Sequence, residues 1–343
     1  MSTGDPNGHR PSGQGDFPAS VPLVGRDGEL AALRAVYERA ASYHAPQVVL
    51  LIGNQGTGKS RLLHEFGESV AGAARVYAGV AVRGERDSAL AQLLRSRFGI
   101  VDGEPDDAAL ARVHDTLAQV FGDDSAGELA PFLAGFVGLR APVTPVFGAL
   151  GDAPAELDAV ARAVLRRFID RDAAGAPLVL VFDDLHLADE DTLHLVEELG
   201  EGLAGAAVMI VCAGRAELLL RRPGFALGAG DVTRLGLGNL PARDAAAMLR
   251  QLLAPVGKLP AEVVEDAVAM TGGNPQLLEE WVRLLAQNGS LDASGTPWKL
   301  DARRAAQTEL PISVEQAIEA RIAALAPDER DLLEKASVFG NVF

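Results

Sequence analysis

Residues 47–63, QVVLLIGNQGTGKSRLL, constrain the fold of this chain more than any other stretch. They begin with a short, apolar and β-branched run over 48–52, which is typical of a buried strand in a parallel sheet. The next eight residues match the pattern G-x-x-x-x-G-K-[ST] at every fixed position. They are Gly53, Asn54, Gln55, Gly56, Thr57, Gly58, Lys59 and Ser60. The sequence that follows, from Arg61, is helix-forming, so we predict a strand, a loop and a helix in this order.

The loop between this strand and this helix has the composition of a phosphate-binding loop. Glycines let successive backbone N–H groups turn inward around a phosphate, where a Cβ atom would obstruct them. The helix adds the partial positive charge of its N-terminus. In this pattern Lys59 reaches the β- and γ-phosphates of a nucleotide, and the Ser60 hydroxyl is a ligand of Mg²⁺. A glycine-rich surface turn is the alternative, because the chain has 37 glycines. We predict a nucleotide-phosphate site made of the eight loop residues and Arg61.

A second apolar run, over 177–184, ends in the carboxylates of Asp183 and Asp184. Functional residues of a parallel sheet gather where its strands end, and hydrolysis of a nucleotide needs a carboxylate near Mg²⁺ and a positioned water molecule. We assign Asp183 to the Mg²⁺ shell, directly or through water. We assign Asp184 to the water molecule that attacks the phosphate, which it would orient or deprotonate. The alternative is an acidic pair that merely caps a strand.

Arg215 ends the fourth predicted strand. A guanidinium group pairs with phosphate in a fixed fork, so Arg215 could contact the γ-phosphate of a nucleotide. The alternative is an exposed arginine without a role. His186 and Asp189, which follow the aspartate pair, are interpreted either as supporting residues of the site or as solvated residues. Arg221 and Arg222 are interpreted as a solvated pair rather than as a finger that reaches a neighbouring subunit.

Apolar runs of strand length alternate with helical patterns through the first two thirds of the chain. We predict strands at 48–52, 75–82, 177–184, 207–213 and 232–237, and a helical insert at 88–172. This pattern predicts an α/β fold with a five-stranded, mostly parallel sheet that helices cover on both faces. After Pro241 only helices are predicted. We divide the chain into a disordered tail (1–20), an α/β domain (21–238), an all-α lid (239–300) and a last segment (301–343) with helices at 312–325 and 327–338.

The composition excludes several classes of protein. The formal net charge of −16 opposes non-specific binding of this segment to nucleic acid or to an anionic membrane. The single cysteine, Cys212, excludes an internal disulfide and suits a reducing compartment. No apolar run is long enough to span a membrane, and no signal peptide is visible at the N-terminus. We therefore expect a cytoplasmic protein.

Several motifs together follow the order found in one known family. They are Leu23-Val24-Gly25-Arg26 with Glu29-Leu30, the phosphate loop, LVLVFDDLHLAD, the arginine after VMIVCAG, and Thr271-Gly272-Gly273-Asn274-Pro275. In this order the chain resembles the STAND class of signal-transduction ATPases, which are relatives of AAA+ proteins. It is most similar to the ATPase module of large ATP-binding LuxR-type transcriptional regulators and of related bacterial signalling proteins. The resemblance runs from about residue 21 to the end, where the chain looks like the start of a winged-helix domain.

The resemblance implies roles that residue spacing does not reveal. It implies a P-loop NTPase fold with the strand order 5-1-4-3-2, and it gives Arg215 a sensor role. The residues that it places around the adenine are Val24, Gly25, Arg26, Asn274 and Pro275, of which the last two open a lid helix. Many AAA+ relatives carry a glutamate where this chain has Asp184, whose shorter reach predicts slow turnover. No arginine finger can be assigned.

These observations predict an ATPase that uses Mg²⁺ and works as a switch. ATP and ADP would favour different lid positions, and the change would control self-association or contact with other domains of a longer chain. One alternative is a nucleotide-locked scaffold with little catalysis. Another is an AAA+ initiator or loader acting on nucleic acid, because a similar GR-x-x-E-L opening occurs in replication initiators, although the acidic charge opposes it. A small-molecule kinase is weaker still, because the acidic insert offers no clear basic substrate site.

Overall fold

The computed structural model describes residues 22–142, 144–149, 153–203, 205–226, 228 and 232–308. The chain divides into two compact units. The first unit is Arg26–Gly238, and the described parts of the second unit are residues 22–25 and 239–308. The predicted tail at 1–20, the helices predicted at 312–325 and 327–338, and the predicted start of a winged-helix domain lie outside the described residues.

The sheet of the first unit consists of five parallel strands. They are β1 (Gln47–Gly53), β2 (Arg75–Val80), β3 (Leu178–Asp183), β4 (Val208–Gly214) and β5 (Val232–Leu237). Their order is β2-β3-β4-β1-β5, and every neighbouring pair is parallel. The predicted sheet and its predicted order, counted from the opposite edge, are confirmed. All residues of β3 and β4 are buried, as expected for strands with both faces covered.

Helices connect the strands and form the insert between β2 and β3. Those of the first unit are α1 (Asp27–Tyr43), α2 (Lys59–Val70), α3 (Ser88–Phe98), α4 (Asp106–Phe121), α5 (Asp123–Phe136), α6 (Pro145–Ala149), α7 (Pro154–Ala173), α8 (Glu190–Gly202) and α9 (Ala216–Arg221). Helices α3 to α7 occupy the range predicted as a helical insert, and their buried apolar residues join the same core as β3 and β4. None of the helices in the described ranges has the length and apolar character needed to cross a membrane.

The insert begins with a helix that lies very close to the edge strand β2. A Cβ atom added to Gly79 would lie 1.9 Å from the carbonyl oxygen of Ala89, so only glycine allows this distance. On the same helix, the Gln92 side-chain amide exchanges hydrogen bonds of 3.1 Å with the backbone N–H and C=O of Val80. A side chain thereby supplies hydrogen-bond partners for backbone groups that an edge strand would otherwise leave unpaired.

A buried carboxylate joins the insert to the sheet. Asp172, near the end of α7, is 4% exposed and accepts hydrogen bonds from Arg97 of α3 at 2.7 and 2.8 Å. It accepts another from Arg75 of β2 at 2.7 Å. The pKa of Arg97 is raised, because the effect of its hydrogen bond to Asp172 is larger than the opposing effect of burial. The two guanidinium groups compensate the buried negative charge, as a buried carboxylate requires.

The second unit is mostly helical. Its elements are α10 (Ala242–Leu252), α11 (Ala261–Thr271), α12 (Pro275–Gln287), β6 (Leu291–Asp292), β7 (Lys299–Leu300) and α13 (Ala302–Ala305). The fully buried Leu278, Trp281 and Leu285 of α12 lie in its core, together with Leu249 of α10. The prediction that only helices follow Pro241 was wrong in one detail, because β6 and β7 pair antiparallel. Strands of two residues are too short to show alternation in a sequence.

Candidate functional site

The predicted phosphate loop links the end of β1 to the start of α2. Gly56 and Gly58 have φ values of 76° and 92°, in the left-handed region that glycine adopts without strain. A Cβ atom on Gly53 would lie 2.5 Å from the carbonyl oxygen of Leu237, at the end of β5, so this position also needs glycine. The glycines therefore allow both the turn of the loop and its close contact with the neighbouring strand.

Lys59 is the first residue of α2 and lies inside the loop. It is 7% exposed, and its Nζ donates hydrogen bonds to the carbonyl oxygens of Gly53 at 3.0 Å and Asn54 at 3.2 Å. Burial lowers the pKa of Lys59, while the negative charges of Asp184 and Asp183 act in the opposite direction. A cation that is held by backbone carbonyls and faces two aspartates is well placed to bind an anionic phosphate.

Ser60 and Asp183 bring the phosphate loop and the end of β3 together. The Ser60 hydroxyl donates a hydrogen bond of 2.5 Å to Oδ2 of Asp183, and Oδ1 of Asp183 accepts one of 2.8 Å from the backbone N–H of Asp184. Asp183 is 7% exposed. Hydroxyl and carboxylate oxygens are the hard ligands that Mg²⁺ prefers, and Mg²⁺ commonly takes one or two protein ligands together with substrate phosphates. The donor set at this position therefore fits Mg²⁺.

A cage made of protein ligands alone is not found in the described parts of the chain. No group of three or more His, Cys, Asp or Glu residues is placed there to hold a metal ion.

Asp184 begins a short 3-10 turn, Leu185–Leu187, after β3. Its φ of 51° is unusual for a residue with a side chain. The side chain is 36% exposed, and Oδ1 lies 3.7 Å from Nδ1 of His186, which is beyond hydrogen-bond distance. The carboxylate is thus accessible, whereas the neighbouring Asp183 is buried. Different surroundings for two adjacent carboxylates are compatible with the separate roles that the sequence predicts.

Arg215 directly follows β4, where it precedes the short helix α9. It lines a cavity of about 240 Å³ together with His186, with Arg83 after β2 and with residues of α9. Its positive charge contributes to the lowered pKa of Lys59, although burial is the larger cause. Arg215 therefore lies at the carboxyl edge of the sheet, on which Lys59 and the aspartates also lie.

Arg221 has a role in the structure that the sequence did not predict. Its guanidinium group donates hydrogen bonds to the carbonyl oxygens of His186 at 3.0 Å and Ala188 at 3.1 Å, and to Glu190 at 2.7 Å. Arg222 pairs with Glu190 at 3.2 Å and with a second glutamate of α8. Arg221 is exposed, as the interpretation as a solvated pair expects, and it also holds the turn after β3.

Arg26 makes backbone contacts that the adenine assignment did not anticipate. It is 5% exposed and donates hydrogen bonds to the carbonyl oxygens of Thr57 at 3.1 Å and Gly238 at 2.5 Å. It also pairs with Glu29 at 3.1 Å. Arg26 therefore connects the phosphate loop to the backbone that follows β5. A contact with adenine stays a prediction.

The remaining polar residues of the loop have supporting contacts. The Thr57 hydroxyl donates to the carbonyl oxygen of Asn54 at 2.9 Å, which closes a small turn within the loop. Arg61 pairs with Glu65, one turn later in α2, at 3.4 Å. Gln55 is half-buried. Their predicted contacts with a nucleotide stay predictions.

The other residues predicted around the adenine belong to the second unit. Val24 packs against the core of that unit, and Gly25 has a φ of 64°. The side chain of Asn274 caps the N-terminus of α12 by accepting a hydrogen bond of 3.2 Å from the backbone N–H of Leu277. Pro275 is the first residue of α12, where proline needs no N–H partner. The predicted helix start at Asn274 and Pro275 is observed, and the roles of this helix as a lid and of these residues at adenine stay predictions.

Several solved structures are similar to this chain. The ORC2 protein of Aeropyrum pernix, solved with ADPNP and ADP, is 14% identical, with a TM-score of 0.54 over 91% of this chain and 74% of that one. Cdc6p from Pyrobaculum aerophilum is 15% identical, with a TM-score of 0.47 over 80% and 65%. A STAND protein with a tetratricopeptide-repeat sensor from Pyrococcus horikoshii is 16% identical, with a TM-score of 0.46 over 94% and 35%. At such identities the likeness to the Aeropyrum protein shows the fold alone.

Sequence comparison identifies the family. No curated protein matches the chain significantly. The family model described as the AAA ATPase domain matches residues 22–211, which include the phosphate loop, the paired aspartates and most of β4. Because this match covers more than half of the length of the chain, the chain belongs to the AAA ATPase domain family.

Proposed function

We propose that the chain is an ATP-binding switch that hydrolyses ATP slowly, as the ATPase module of a transcriptional or signalling regulator of the STAND type. The single observation that carries this proposal is the 2.5 Å hydrogen bond between Ser60 and Asp183. It brings the two parts that nucleotide hydrolysis needs, a phosphate loop and a carboxylate for Mg²⁺, to one edge of the sheet. ATP- and ADP-bound states would differ in lid position and in self-association.

The residues of the loop bind and orient the nucleotide. Its backbone N–H groups and Lys59 surround the β- and γ-phosphates, and the start of α2 adds its positive dipole. Mg²⁺ held by Ser60 and Asp183 would neutralise negative charge on the phosphate oxygens. Arg215 would contact the γ-phosphate and so distinguish ATP from ADP.

Asp184 would act on the attacking water molecule. The water oxygen bonds to the γ-phosphorus, and the bond from that phosphorus to the β–γ bridging oxygen breaks. ADP keeps the electron pair of the broken bond, and a proton of the water passes to the Asp184 carboxylate and then to solvent. The short side chain of Asp184 supports a slow reaction, because its carboxylate reaches less far than that of a glutamate at the same position.

The catalytic assignment is tested with Asp184→Asn, and Asp191→Asn is the matched control. Asp191 is 63% exposed on α8 and undergoes the same chemical change. We expect Asp184→Asn to bind Mg·ATP with the affinity of the unaltered protein and to lose phosphate release, by about 10²-fold or more. Asp191→Asn should keep both. An Asp184→Asn protein that hydrolyses ATP as fast as the control would refute the assignment.

The same assay separates this proposal from a scaffold without catalysis. Tight ATP binding by the unaltered protein with no measurable phosphate release would favour a nucleotide-locked scaffold. Slow release that depends on Asp184 would favour the switch.

An initiator or loader that acts on nucleic acid is the second candidate. The observation in its favour is that a Drosophila ORC structure bound to DNA is similar to this chain, at 14% identity and with a TM-score of 0.52 over 91% of this chain and 67% of that one. The net charge of −16 weighs against a DNA contact by this segment. Fluorescence anisotropy with a duplex oligonucleotide at increasing salt tests it. A complex whose affinity falls steeply with salt would favour the initiator, and no binding at low salt would exclude it for this segment.

A further inference from the structure

A cavity of about 240 Å³ opens at the carboxyl edge of the sheet, separate from the phosphate loop. The residues that line it are Arg83, His186, Leu187, Arg215, Glu217 and Arg221. Arg83 follows β2, His186 follows β3, and Arg215 follows β4. Because β4 lies between β3 and β1 in the sheet, the cavity and the loop after β1 lie on the two sides of the end of β4.

The cavity is rich in positive charge, although the chain as a whole is acidic. Arg221 already donates hydrogen bonds to two carbonyl oxygens and to Glu190. Arg83 and Arg215 make no hydrogen bond or ion pair within the described ranges, and Glu217 is the one carboxylate among the lining residues. Two guanidinium groups at one small cavity therefore have no protein partner in the described ranges, which is the pattern of an anion site, and Arg215 could keep its contact with the γ-phosphate after that group leaves ATP.

His186 adds an independent observation. Its side chain is buried, with 8% of the residue exposed, and neither ring nitrogen has a hydrogen-bond partner in the described structure. Burial lowers the pKa of His186, so the neutral imidazole is favoured, with one N–H donor and one acceptor nitrogen. A buried polar group without a partner is costly, and in native proteins it commonly has a water molecule or a ligand beside it.

We propose that this cavity holds the free phosphate ion that ATP hydrolysis produces, bound by Arg83, Arg215 and His186. The inference rests on the proposed function for the source of the ion. Phosphate has several oxygens that accept charge-assisted hydrogen bonds from two guanidinium forks and one from an imidazole N–H. The cavity has room for such an ion with a few water molecules, but it is below the usual size of a nucleotide pocket. A retained phosphate would give the switch an ADP·phosphate state between its ATP and ADP states.

The experiment measures binding of inorganic phosphate to the full chain by isothermal titration calorimetry, with and without saturating Mg·ADP. The variant is Arg83→Gln, because Arg83 is exposed and its replacement leaves no buried group unpaired. The matched control is Arg34→Gln, which removes one exposed arginine from α1. We expect phosphate to bind the unaltered protein and the control equally in the presence of Mg·ADP. Its affinity for Arg83→Gln should fall about tenfold, as the loss of one charge-assisted hydrogen-bond pair predicts.

Other outcomes overturn the proposal. Equal phosphate affinity of Arg83→Gln and the control would overturn it, and so would the absence of phosphate binding with Mg·ADP present. If Arg83→Gln weakened binding of a non-hydrolysable ATP analogue and left phosphate binding unchanged, the cavity would contact the γ-phosphate of bound ATP instead.

The titrations also separate this inference from the function on which it rests. Phosphate binding that depends on Arg83, together with no binding of ATP or ADP, would support the anion cavity and refute the ATP switch. If the protein binds ADP and its affinity for phosphate does not depend on Arg83, only the proposed phosphate site in the cavity would be refuted.

Discussion

Replacement of Arg26 by alanine tests whether this residue holds the phosphate loop in place. Arg26 joins Thr57 in the loop to Gly238 after β5 through two hydrogen bonds, at 3.1 and 2.5 Å. In Arg26→Ala both carbonyl oxygens lose a charged donor. The hydrogen bond to Thr57 is buried, whereas Gly238 is exposed, so water can replace the donor there. We therefore expect a large effect on stability from a residue that lies next to a presumed ligand site.

The magnitude follows from these contacts. A hydrogen bond from a charged donor contributes about 1.5–3 kcal/mol, and an unpaired buried acceptor costs about 1–3 kcal/mol. These two figures describe the same lost contact and are not added. The buried contact with Thr57 accounts for most of the expected total of about 3 kcal/mol, because water can replace the donor at the exposed Gly238. The ion pair with Glu29, whose side chain is 26% exposed, adds less than about 1 kcal/mol. For a unit of this length, 3 kcal/mol lowers the Tm by about 6–12 °C.

Thermal unfolding followed by circular dichroism measures this effect, with Arg34→Ala as the control. Arg34 lies on the exposed face of α1 and makes one hydrogen bond, to Ser69 at 3.1 Å, so its loss should shift the Tm by about 2 °C or less. The Tm of Arg26→Lys should fall between those of Arg26→Ala and Arg34→Ala, because one ammonium group cannot reproduce the two-pronged hydrogen bonding of a guanidinium group. An Arg26→Ala protein that unfolds at the temperature of the Arg34→Ala control would refute the reasoning.

Two further predictions concern the first unit away from the nucleotide site. Burial raises the pKa of the Cys212 thiol to about 12. Ellman's reagent at pH 8 should therefore leave the folded protein unlabelled and should label one thiol after unfolding in guanidinium chloride. Rapid labelling of the folded protein would contradict the burial of this thiol. Asp172→Ala leaves the guanidinium groups of Arg75 and Arg97 without their buried partner and should lower the free energy of unfolding by about 3–5 kcal/mol. The control Asp115→Ala, on the exposed side of α4, should lower it little. Equal urea midpoints of the two variants would contradict this expected difference.

The fold was predictable because its signals are local in the sequence. Each buried strand is a continuous apolar run, and the loop pattern after β1 identifies where the ligand edge of the sheet lies. Once the strands are known to be parallel, their ends must share an edge, which brings Ser60 next to Asp183 across 123 positions of sequence. The predicted sheet order came from the family resemblance and was confirmed.

The contacts that the sequence did not reveal involve groups that every residue carries. Arg26 and Arg221 bind backbone carbonyl oxygens, which leave no trace in the residue types of their partners. The cavity with Arg83, His186 and Arg215 combines loops after three different strands, so it becomes visible only when the strand order is known. His186 follows the two aspartates closely in the sequence, which marked it as a candidate, but the sequence did not show whether its ring is buried or solvated.

The central claim is that the loop from Gly53 to Ser60 binds the phosphates of ATP beside Asp183 and Asp184. A calorimetric titration of ATP with magnesium into the unaltered protein and into Lys59→Ala tests it most directly, with circular dichroism to verify that both are folded. We predict a saturating heat of binding for the unaltered protein and none for Lys59→Ala at the same concentrations. No heat with the unaltered protein, or equal affinity of a folded Lys59→Ala protein, would contradict the claim.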